Sequence, residues 1–133
     1  MKKIKLYTKL AFHLLNISII VLYLYPGSIY GWLLYGDFKK QPQLTPDFIF
    51  GQILFSSNHV YAFLVLSLIG IISYFEYKIR LLFIYLFTMS IFLEVTHLLI
   101  PQRSFQYQDM LGNFLGVLII FIIFTLTKLF RKK

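Results

Sequence analysis

Six residues of the chain have the makings of a chemical site: His59, Glu94, His97, Arg103, Asp109 and Asn113. Five of them fall in one stretch, EVTHLLIPQRSFQYQDMLGNFLG, from Glu94 to Gly116, and apolar runs flank it. Carboxylates beside histidines are the groups of general acid–base chemistry, so Glu94, His97, Asp109 and His59 are its candidates. Arg103 has the planar fork that holds a phosphate or carboxylate through two parallel hydrogen bonds. Asn113 can orient a ligand, and Tyr61, close after His59, adds a hydroxyl for binding. The chain has no cysteine and no G-x-S-x-G element. A reaction here would therefore run through water or by direct transfer between substrates.

Helical spacing groups these residues. Glu94 and His97 are i, i+3 and share a face. Asp109, Gly112, Asn113 and Gly116 follow i, i+3, i+4, i+7 and make one stripe. Gly112 and Gly116 form a G-x-x-x-G pair, which lets a second helix come close. The expected neighbour is the helix that carries Glu94, its hairpin partner through residues 101–108. Plainer roles exist for two members. Asp109 can cap its helix against the dipole, and Arg103 can be the counter-ion of Asp109 or Glu94, or an anchor to lipid phosphate.

No metal or cofactor is expected. Glu94-x-x-His97 has the spacing of di-iron bundles, but those need two such motifs and further glutamates, and this chain has one motif. A single zinc ion held by His59, Glu94 and His97, with Asp109 as a fourth ligand, is chemically feasible.

The elements that must position these groups are membrane helices. The chain has 133 residues, is 59% hydrophobic and only 14% charged, with a mean hydropathy of +0.75. Soluble domains are typically about 45–50% apolar. The expected fold is an all-α membrane protein, a single domain over 1–133. Its spans lie near 6–25, 57–77, 81–100 and 109–128, each about 20 residues long, enough for a hydrocarbon core of about 30 Å. Short connections between the later spans predict an antiparallel four-transmembrane-helix bundle.

The net charge of +8 reports topology rather than nucleic acid binding. Ten of the thirteen lysines and arginines fall on the side of the two termini, and Lys39, Lys40 and Arg103 on the other. The positive-inside rule places both termini in the cytoplasm. No A-x-A-like site follows the first span, so it reads as a retained helix. His13 within it reads as an interfacial or interhelical histidine. In the long connection 26–56, SIYGWLLYG has the aromatic character of the membrane interface. GDFKKQPQLTPDF is polar and broken by Pro42 and Pro46, and FIFGQILF is too short to span and reads as interfacial or re-entrant. This loop is expected to rest on the bilayer, with a gate over the site as the second reading. Ser56 or Ser57 is expected to cap the second span. In this topology all six polar residues reach one outer layer, where they are expected to form a pocket open outward or sideways to lipid.

The pattern resembles the VanZ-like family of bacterial integral membrane proteins. That family has a histidine opening one helix, an E-x-x-Q in a later one, a proline and arginine turn, and then D-x-x-x-N-x-x-G. Here His59, Glu94, Pro101, Arg103, Asp109, Asn113 and Gly116 keep that order, over about residues 56–117. His97 stands where glutamine is usual, and Phe55 and Ser56 stand where an Asp-Lys pair is common. The resemblance implies a multi-pass protein of the bacterial cytoplasmic membrane, linked in the best-known case to teicoplanin resistance. It implies no defined reaction.

Three readings follow. The first is a binder or modulator of a lipid-linked or cell-wall precursor, with membrane lipids around it. The second is an enzyme acting on such a substrate by acid–base chemistry at Glu94, His97 and Asp109. The third is a polar network that only fixes the bundle. Polar contacts between membrane helices average about 0.6 kcal/mol, so a six-member network exceeds what a scaffold needs. The oligomeric state is not legible in the sequence.

Overall fold

The structure, a computed structural model, describes residues 2–46, 54–75 and 78–131. These residues form five helices and no strand: α1 (Lys2–Leu24), α2 (Ile29–Tyr35), α3 (Ser57–Tyr74), α4 (Ile79–Thr96) and α5 (Tyr107–Phe130). Four of them, α1, α3, α4 and α5, are long and apolar enough to cross a membrane. This is the make-up of a multi-pass membrane protein. The expected interfacial segment 48–55 falls almost wholly outside the described residues, as do Glu76, the expected end of the second span at Tyr77, and Lys132 and Lys133.

Two element ends differ from expectation, and each has a local cause. The third span was expected to reach Ile100, but α4 stops at Thr96. Pro101 bars its predecessor from the helical region, and the chain tightens beforehand: the amides of His97, Leu98 and Leu99 bond three residues back, to Glu94, Val95 and Thr96. Glu94 thus lies in the last turn of α4. At the start of α3, Ser56 is the N-cap residue, but its side chain makes no capping bond. The Ser57 hydroxyl accepts from Gln43 instead. Asp109 does not cap α5 either. Gln106 is the cap residue there, and Asp109 lies in the first turn with its side chain turned to α3.

The short helix α2 was read only as an aromatic interfacial stretch. Ser28 caps it by accepting from the Gly31 amide at 2.9 Å, and Gly36 closes it in the left-handed region at φ 66°.

The closest helix pair is α3 with α5. A Cβ at Gly112 would lie 2.7 Å from the Ser56 carbonyl oxygen, and one at Gly116 would lie 2.5 Å from that of Val60. The glycine face therefore meets α3, and the expectation that it meets the Glu94 helix is corrected. Side-chain size explains the choice. The contact of α5 with α4 is filled by rings: Phe83 on Phe121 (4.9 Å between centroids) and Phe87 on Phe114 (5.0 Å). Those rings stand between the helices, whereas Gly112 and Gly116 leave α3 room to come close. The starts of α3 and α5 are also tied by Ser56 N–H to the Gln108 carbonyl, at 3.1 Å. Gly116→Ala must push backbone away from backbone. It is expected to cost about 1–3 kcal/mol, read as a lower unfolding temperature of the purified protein in detergent.

The core of the four long helices holds Phe12, Ile19, Phe63, Leu66, Leu86 and Val117, all buried. Farther from the polar cluster, α1 is fastened by two side-chain links. His13 Nε2 is 2.8 Å from the Tyr74 hydroxyl, and Asn16 Nδ2 donates to Tyr85 at 2.6 Å. His13 is interhelical, as expected.

Candidate functional site

The site is built around Asn113, which is fully buried. Its Nδ2 donates to the Ser90 carbonyl on α4, at 3.2 Å. That turns Oδ1 to the other side, where it accepts from the Tyr23 hydroxyl of α1 at 2.5 Å and lies 3.1 Å from His59 Nδ1 of α3. One side chain of α5 thus bonds to each of the other three long helices. The Tyr23 hydroxyl also lies 2.5 Å from His59 Nδ1, so this nitrogen donates to Asn113 in one tautomer and accepts from Tyr23 in the other. Its Nε2 faces Asp109 Oδ2 at 3.4 Å.

Glu94 and His97 form the neighbouring unit. Glu94 is fully buried and its Oε1 accepts from the Gln106 amide at 2.9 Å. The same oxygen lies 3.0 Å from His97 Nδ1. His97 Nε2 lies 3.1 Å from the Tyr23 carbonyl oxygen, so it must be a donor. A proton shared between His97 Nδ1 and Glu94 Oε1 would satisfy both atoms.

Tyr23 stands between the two histidines. The His97 ring stacks on it (5.6 Å, 22°), and the His59 ring meets it edge-on (5.2 Å, 71°). Ring, hydroxyl and carbonyl of Tyr23 are all engaged. The sequence reading missed this residue. The stripe Phe12, Asn16, Ile19, Tyr23, at i, i+4, i+7, i+11, was the available signal that Tyr23 faces inward.

Arg103 lies in the connection between α4 and α5. Its Nη2 donates to the Leu22 carbonyl at 2.7 Å and its Nε to that of Tyr25 at 3.2 Å. These are carbonyls at the end of α1, which have no intrahelical partner, and a cation suits that end of the dipole. Among the described residues its hydrogen bonds go to the last turn of α1 and to Tyr25 just beyond it, not to Asp109 or Glu94, the counter-ions the sequence suggested. Burial pushes its pKa down from the ordinary guanidinium value, and Glu94, Tyr23 and Asp109 nearby push it back up.

A cavity of about 450 Å³ opens beside this network, between α1 and α3. Leu15, Ile19, Leu22, Ala62 and Val65 form its apolar part, and Tyr23, His59, Tyr61, His97 and Arg103 its polar part. Ser18 and Val65, which also line it, are exposed. Gln41, Pro42, Leu44 and Thr45, in the strap 41–45, line it as well, and Asn58 holds this strap. That side chain accepts from the amides of Leu44 (2.9 Å) and Thr45 (3.0 Å) and donates to the Pro42 carbonyl (2.9 Å). The strap is thus packed on α3 rather than lying loose over the molecule. Asn58 was not singled out in the sequence, although it sits beside His59 at a helix start.

The six expected residues therefore come together, in two layers. His59, His97 and Arg103 reach the cavity, with Tyr61. Glu94, Asp109 and Asn113 stand behind them and do not line it. No known protein family, curated protein or solved structure matches the chain.

Proposed function

We propose that the chain binds an amphiphile with a polar, anionic head, a lipid-linked or cell-wall precursor, in the cavity between α1 and α3. The observation that carries this is the two-part wall: an apolar run along the helices leads to Tyr23, His59, His97 and Arg103 at one end. A volume of this size suits a ligand head and the first part of its chain. The exposed side at Ser18 and Val65 is a door for a molecule that never leaves the membrane. The four long helices then form an antiparallel bundle with both termini cytoplasmic, and the polar end of the cavity faces the outer leaflet. The resemblance of the polar pattern to VanZ-like proteins agrees with a place in the bacterial envelope.

A catalytic role is the second reading, and one contact favours it. His59 lines the cavity and its Nε2 faces Asp109 Oδ2, an imidazole–carboxylate pair of the kind general acid–base chemistry uses. Glu94 and Asp109 have no direct access to the cavity, so proton exchange with a ligand would pass through His59 or His97.

Native mass spectrometry of the protein purified in mild detergent tests the binding reading. The expected result is a one-to-one adduct of a phosphate- or pyrophosphate-headed amphiphile, lost in Ala62→Trp, where the indole fills the cavity. Bulk phospholipid alone, in equal amount on wild type and Ala62→Trp, would contradict it.

A further inference from the structure

Three donors next to the cavity are arranged in a way that proton bookkeeping leaves unexplained. In the tautomer with the hydrogen on Nδ1, shared with Asn113 and the Tyr23 hydroxyl, His59 Nε2 is a lone pair. It faces a carboxylate oxygen of Asp109 at 3.4 Å. Two acceptors face to face repel unless something positive lies between them. A proton there makes only a long ion pair, because a charge-assisted N–H···O bond is about 2.7–2.9 Å long. A metal ion fits the spacing: bonds of about 2.1 Å to nitrogen and oxygen set neighbouring tetrahedral donors about 3.4 Å apart.

The third donor comes from Glu94. A carboxylate oxygen of Glu94, a ring nitrogen of His59 and a carboxylate oxygen of Asp109 all lie within 4.8 Å of one another. Glu94 is fully buried, and among the described residues its Oε2 has no hydrogen-bond partner. A buried carboxylate oxygen without a donor is costly. It also has no bond to break in turning towards an ion. The other oxygen is held by the Gln106 amide and His97, so the carboxylate is anchored on one side and free on the other.

We propose that His59 Nε2, Asp109 Oδ2 and Glu94 Oε2 form a site for a divalent transition-metal cation, with zinc the best match. One imidazole and two carboxylates suit zinc better than magnesium or calcium, which favour oxygen donors throughout. Three protein ligands leave a fourth position for water or a ligand atom, as in catalytic rather than closed structural sites. The outer contacts are those of a metal site as well. Asn113 and Tyr23 hold the far nitrogen of His59, which fixes its ring plane. His97 is an outer-shell partner of Glu94, not a ligand, since both its nitrogens are engaged. The cation would bring positive charge to the polar end of the cavity, where His59 is exposed to it. Metal binding itself does not depend on any amphiphile being bound.

The test uses the full-length protein in detergent, stripped with chelator and titrated with Zn²⁺, and with Co²⁺ as a spectroscopic stand-in. The expected result is one ion per chain, a higher unfolding temperature with Zn²⁺ that chelator reverses, and a visible Co²⁺ absorption of low-symmetry four-coordination. His59→Gln and Asp109→Asn should each weaken binding by more than about 100-fold, and Tyr23→Phe, which touches only the outer contacts, by about tenfold. Should the first two variants fail to fold, Tyr23→Phe and the Co²⁺ spectrum of the wild type still decide. Folded wild type without a stoichiometric Co²⁺ spectrum overturns the proposal, and so does Zn²⁺ binding unchanged in His59→Gln, Asp109→Asn or Tyr23→Phe.

Discussion

Glu94→Leu will destabilise the protein by about 3–5 kcal/mol, the cost of removing one partner from a buried, hydrogen-bonded carboxyl–imidazole pair. Leucine fills much the same space, so the loss is one of bonding. The Gln106 amide and His97 Nδ1 both lose their acceptor, Oε1. Glu94→Gln keeps an oxygen for Gln106 but cannot share the proton, and should lose less, about 1–3 kcal/mol. Thermal unfolding in detergent orders the three proteins. A Glu94→Leu protein as stable as wild type would mean that the network carries no structural weight.

Asn113→Asp is expected to rank next, although it replaces a single NH₂ group with oxygen. The new oxygen faces the Ser90 carbonyl, which Nδ2 now satisfies, and a third carboxylate joins Asp109 and Glu94 in a buried cluster. The loss should again approach about 3 kcal/mol at neutral pH, the range for an uncompensated buried charge. Lowering the pH protonates the new carboxyl, gives Ser90 a donor again and recovers stability. Tyr23→Phe is the comparator. It removes one hydroxyl from the same hub, and measured polar contacts between membrane helices average about 0.6 kcal/mol with a maximum near 1.7. An Asn113→Asp protein that unfolds no earlier than Tyr23→Phe, with no recovery in acid, would count against the hub.

The site was legible where its members share one helix or one turn. The Glu94–His97 pair and the Asp109–Asn113 stripe follow from i, i+3 and i, i+4 spacing, and both are on the inward faces of their helices. What spacing along one helix does not carry is the identity of the neighbour. The glycine pair promised a close crossing, but the choice of α3 over α4 was made by the phenylalanines of α4, several turns away in sequence terms. Tyr23 was missed for a related reason: a tyrosine in an apolar run looks like any other large ring until its hydroxyl finds Asn113. The strap was equally hidden, because its anchor joins residues 42–45 to Asn58 across the proline-broken connection. The early end of α4 depends on a proline whose effect reaches several residues back. Arg103 was noticed as a charge, and the spacing of carbonyls at the end of α1 decided what that charge holds.

The cavity between α1 and α3 is the centre of the functional account, and photo-crosslinking tests it most directly. A diazirine-bearing prenyl pyrophosphate would be irradiated with the protein in lipid nanodiscs, and the labelled peptides mapped by mass spectrometry. The account predicts label at Leu15, Ile19, Ala62 and Val65, competed by unlabelled prenyl pyrophosphate and lost in Ala62→Trp. Label confined to outward-facing side chains such as Phe92, Ile122 and Ile123, which are exposed on other faces of the helices, and unaffected by competitor, would contradict it.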